Sequence, residues 1–93
     1  MVYKSYIVNS LDSKVHASED VMQVLRDCFK ADIHSCYLLC IQVLLALRKP
    51  LAMSAVVNFM LENMVHSLGE KQKMKVQLCD IGVKVKSLSL KKY

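Results

Sequence analysis

Cys28, His34, Cys36 and Cys40 fall within thirteen residues of one another, and thiolate and imidazole donors are the usual ligands of zinc. Structural zinc takes cysteine pairs spaced C-x2–4-C on turns or knuckles. Here Cys36 and Cys40 stand one helical turn apart in the most apolar stretch of the chain, and no second pair follows. A free cysteine is also a common small core residue. The set reads as packing, and no metal is assigned.

A cysteine nucleophile needs a base and a group that orients the base. Cys79-Asp80 has no histidine near it in sequence, and His16, His34 and His66 lie on separate segments. With two glycines, Gly69 and Gly82, the chain lacks the Gly-rich loop of a phosphate cradle. There is no paired-carboxylate or G-x-S-x-G pattern either. The expectation is a non-enzymatic protein without catalytic residues, cofactor or small-molecule substrate.

Two further sets could bind. Met53, Met60 and Met64 share one helical stripe with Val57 and Leu61. Methionine-rich faces make adaptable protein-binding grooves, although ordinary core is their commoner use. The lysines at the end form the second set. Residues 1–68 hold six Lys/Arg and six Asp/Glu, so the net charge of +5 belongs wholly to residues 69–93. There Lys71, Lys73, Lys75, Lys84, Lys86, Lys91 and Lys92 face only Glu70 and Asp80. Such a segment contacts phosphates or an anionic membrane surface, or serves as a solubilising tail. It has no arginine and only one aromatic, Tyr93, so any nucleic-acid binding through it is expected to ignore sequence.

The elements that must carry these residues are mainly helical. Residues 33–48 are apolar on nearly every face, which marks a buried helix. The run is shorter than the roughly 20 residues that cross a bilayer. Arg48 and Lys49 suit a helix C-terminus, and Pro50 stops the helix. Residues 53–68 form an amphipathic helix with Ser54 as a cap and Gly69 just past its end. A short connection makes these two a hairpin. Before them, Ser18-Glu19-Asp20 opens a helix over 18–31, with Val21, Val24, Leu25, Cys28 and Phe29 as its inner stripe. Asp32 ends that helix and caps the next, at a sharp corner.

The ends are less regular. Residues 2–8 (VYKSYIV) are β-branched and aromatic, so they read as a short strand followed by turn-formers at Asn9-Ser10 and Asp12-Ser13. Residues 74–90 fit strand alternation and a helical stripe equally well. The reading taken is an extended piece followed by a helix from near Leu78. The start, MVYKSYIVNS, lacks the pattern of a secretory signal. Four cysteines without an export signal are expected as free thiols in a reducing compartment, cytoplasmic or nuclear.

One stretch, PLAMSAVVNFMLENMVHSLGE, resembles the long central helix of the histone fold. The resemblance implies a short–long–short pattern, with an extended KMKVQL and a final helix from Cys79. The basic N-terminal tail and the arginines that histones place at DNA are absent, so no functional residue is carried over.

The expected molecule is one small domain of 93 residues, a bundle of three to four helices with short extended segments at both ends. Residues 1–17 form its N-terminal segment, 18–68 its helical core and 69–93 its basic C-terminal segment. Its expected role is that of an interaction or regulatory protein that binds a protein partner or itself through an apolar helical surface. The alternatives are non-specific nucleic-acid association through the lysines, and peripheral membrane attachment with residues 36–47 in the interface.

Overall fold

The computed structural model describes residues 2–13 and 19–82. They form five α-helices and no strand: α1 (Val2–Asp12), α2 (Glu19–Ala31), α3 (Ile33–Ala46), α4 (Pro50–Met64) and α5 (Leu68–Asp80). The described residues are therefore all-α, with one helix more than the three to four expected.

The central helix is α3, which packs against α1, α2 and α4. Its start obeys the local chemistry of Asp32. The extended Asp32 accepts from the amides of His34 and Ser35 at 3.0 and 3.2 Å, which satisfies two of the donors a helix start leaves open. Cys36, Leu39, Cys40, Val43 and Leu44 point inward, followed by Leu47 beyond the helix end. The helix stops at Ala46, two residues short of the predicted end, because Leu47 and Lys49 take extended backbone ahead of Pro50. Pro50 then begins α4. Its fixed φ and missing N–H suit a first helical position, so the helix starts three residues before 53 and Ser54 lies inside it.

The N-terminal segment corrects the strand expectation. Residues 2–12 are helical because Ile7 and Leu11, one turn apart, both reach the core, with Val8 beside them. Local β-propensity is a weak prior that this burial overrides. Asp12, at the end of α1, then accepts from the backbone amides of Arg48 and Lys49 at 3.2–3.3 Å. Those donors lie in the α3–α4 turn, where no side chain of the turn caps α4. Replacing Asp12 by Ala is expected to cost about 1.5 kcal/mol of stability, and Asn less, because one carboxylate serves both amides. Urea denaturation of the two variants would show it.

The end of the stretch also differs from expectation. α4 breaks after Met64, where Val65 is extended, and α5 starts at Leu68. Ser67 Oγ accepts from the amide of Glu70 at 3.1 Å, while the Glu70 carboxylate accepts from the amide of His66 at 2.8 Å. Ser67 thus caps α5, and Glu70 closes back on the amide of the residue before the cap. Gly69, expected just past a helix end, sits in the first turn of α5 instead. The continuous helix implied by the histone resemblance is thus divided, and α3, α4 and α5 have nearly equal lengths of 14, 15 and 13 residues. The predicted extended piece after Gly69 is helix. α5 ends near Leu78, where a helix was expected to begin, and Gly82 takes the left-handed φ of 86° that follows helix C-termini. The remainder of that predicted helix lies outside the described residues, as does Ser18.

α5 belongs to the same core: Met74 and Leu78 are buried, and the Tyr37 hydroxyl of α3 donates to the Gln77 side chain. Phe29 and Phe59 cross edge to face at 6.4 Å and join α2 to α4. No helix among the described residues is long and apolar enough to cross a membrane.

Candidate functional site

A helix apolar on every side, packed by neighbours on part of its circumference, must present apolar residues on the remainder. α3 is that helix. At 100° per residue, Leu38, Ile41, Gln42 and Leu45 share the arc that its neighbours leave uncovered. Leu38 is 47% and Leu45 59% exposed, with Ile41 half-buried between them and Gln42 exposed beside it. From residue 33 to 47 there is no Asp, Glu, Lys or Arg. Charge is confined to the two ends. Asp32 stands exposed at the start, its carboxyl held below the usual carboxylate range by hydrogen bonds from Ser35 and His34. Arg48 and Lys49 stand exposed just past the helix. The other exposed apolar residues, Tyr6, Ile33, Leu51, Leu68 and Val76, occur one at a time in the sequence pattern, as on any protein surface.

The residues singled out from sequence are placed elsewhere. Met60 is fully buried, and Met53 and Met64 are half-buried against the core, so Met60 offers no surface to a groove. Lys71 is buried, at 4% exposure. Lys73 and Lys75 are exposed but lie 200° apart around α5, so they do not form one basic stripe. Lys84, Lys86, Lys91 and Lys92 lie outside the described residues. Residues 36–47, considered for a membrane interface, put Cys36, Leu39, Cys40, Val43, Leu44 and Leu47 into the protein's own core.

Three of the thiols do meet. Cys28, Cys36 and Cys40 lie close enough, where α2 packs on α3, to shift one another's titration. Interaction with Cys40 draws the Cys36 thiol down; the same interaction, with burial, pushes Cys40 up, and burial raises Cys28. While protonated, Cys36 donates to the Leu25 carbonyl at 3.5 Å. The exposed His34 lies on the outer side of α3, and among the described residues no three His, Cys, Asp or Glu side chains are placed to hold a metal ion. Cys79 is exposed on α5, with no histidine in its helix.

A shallow depression lined by Gln72, Lys73, Val76, Gln77 and Asp80 follows one side of α5. All five residues come from a single helix and all are exposed, so it is a surface concavity rather than a cleft between elements.

The outer arc of α3 was not singled out from sequence, since the whole run read as buried. Its signal was the run itself, because a bundle this small cannot surround one helix completely. No protein family, curated protein or solved structure matches this chain.

Proposed function

We propose that this chain is a small non-enzymatic interaction protein that engages a protein surface through the outer arc of α3. The observation that carries this reading is the stripe of exposed Leu38 and Leu45 with half-buried Ile41 between them, on the most apolar helix and free of charge over its whole length. Single exposed leucines are ordinary, whereas a continuous apolar stripe on a packed helix favours burial against a partner. The rest of α3 is anchored on three sides, so the stripe is presented on a rigid support. Free thiols at all four cysteines suit the reducing interior of a cell.

The test is photo-crosslinking in the cells that make the protein, with a benzophenone amino acid at position 45 or, as control, at the exposed Asp27 of α2. Protein adducts are expected from position 45 and not from 27, and adding Leu38→Glu to the same chain should abolish them. Equal yields from both positions, or none from position 45, overturn the reading.

A further inference from the structure

We propose that the partner on this face is a second copy of the same chain, with the two α3 helices packed antiparallel about a twofold axis near residues 41 and 42. The inference rests on the interaction reading above and adds the identity of the occupant and its orientation.

The distribution of charge selects the orientation. α3 carries one acid, Asp32, at its start and two bases, Arg48 and Lys49, beyond its end, with nothing charged between. An antiparallel copy sets the Asp32 end of each protomer beside the Arg48 end of its partner, twice. It also opposes the helix dipoles favourably. A parallel copy would set acid on acid and base on base. Hydrogen bonds from Ser35 and His34 hold the exposed Asp32 carboxylate at the start of α3.

The apolar spacing agrees with the same axis. Leu38 and Leu45 are equally far from the point between Ile41 and Gln42, so a twofold axis there sets Leu38 of one protomer against Leu45 of its partner at both sites. This is the self-complementarity that an isologous interface requires. Gln42 then falls beside the axis. Its amide holds both donor and acceptor, so the two copies satisfy each other in one register only, as a lone amide does in a coiled-coil seam. The exposed surface of one helix is smaller than the roughly 800 Å² per partner of a standard interface, so the dimer is expected in the micromolar range.

Sedimentation equilibrium of the full chain, over roughly 1 µM to 1 mM at physiological salt, reads the association. The mass should rise from 10.6 kDa toward twice that value. Leu38→Glu with Leu45→Glu should weaken association by at least roughly tenfold with unchanged helicity, because both side chains point to solvent in the monomer. Arg48→Glu should weaken it by about fivefold, with the difference vanishing in high salt. A chain monomeric throughout the series overturns the proposal, and so does a dimer indifferent to the leucine pair.

Photo-crosslinking of the purified chain from position 45 separates the remaining outcomes. A doubled-mass adduct mapped to residue 38 of the partner copy supports the antiparallel dimer, and one mapped to residue 45 overturns it. If the purified chain gives no doubled-mass adduct while cells give adducts of other masses, the second copy is wrong and the interaction reading stands. Absence of any adduct in both settings overturns both.

Discussion

Met60→Ala is expected to lower the unfolding free energy by about 3 kcal/mol, the scale of a methionine truncation in a packed core. Met60 has no exposed surface, and on the same helix Ala52, Val56, Val57 and Phe59 are buried around it. The void left by three missing heavy atoms would be walled by β-branched and aromatic side chains that collapse poorly. Phe59 is further held edge to face by Phe29 on α2. Met53→Ala and Met64→Ala should cost clearly less, since both side chains keep part of their surface in water. Urea denaturation of the three variants gives the order directly. A groove lined by all three methionines would instead show three small and similar losses. Oxidation distinguishes the same cases: peroxide should reach Met53 and Met64 first and Met60 only as the protein opens.

Removal of residues 68–93 is expected to unfold the protein, whereas removal of residues 83–93 takes away none of the five helices. α5 contributes Met74 and Leu78 to the core, and two such side chains represent about 4–5 kcal/mol of burial. Lys71 is buried on the same helix. A domain of this size has a total stability of only about 5 kcal/mol to spare. Circular dichroism and the urea midpoint of the two truncations are the measurements. A cooperative transition in the shorter chain would mean that α5 is an appendage. The distinction also matters for the lysines, because a deletion from residue 70 removes core together with charge. Truncation after Gly82 removes Lys84, Lys86, Lys91 and Lys92 and none of the described core.

Much of the middle of the chain was legible in its residues. The acids Glu19 and Asp20 at the start of α2, the inner stripe with Val21 and Leu25, and Asp32 as a cap at the α2–α3 corner all depend on contacts within one or two turns. Their residue types and spacing are read within one or two turns, without knowledge of the neighbouring helices. The cap at Ser67 is equally local, but Gly69 reads from sequence as a helix terminator and hides it. Pro50 was read only as a stop, although a proline that ends one helix also suits the first position of the next.

What the sequence determined by itself was the class of object. An apolar run too short for a bilayer, closed by Arg48-Lys49-Pro50 and flanked by amphipathic segments, makes a small helical bundle with α3 inside it. Tertiary structure decided which residues of similar type are used. Ile7 and Leu11 turn residues 2–12 into helix because the core offers them a place, and burial outweighs β-propensity. The same selection buries Met60 and Lys71 and leaves Leu38 and Leu45 in water, because five short helices cannot enclose every side of the central one. Periodicity names the faces of a helix, and only the positions of its neighbours decide which face stays open.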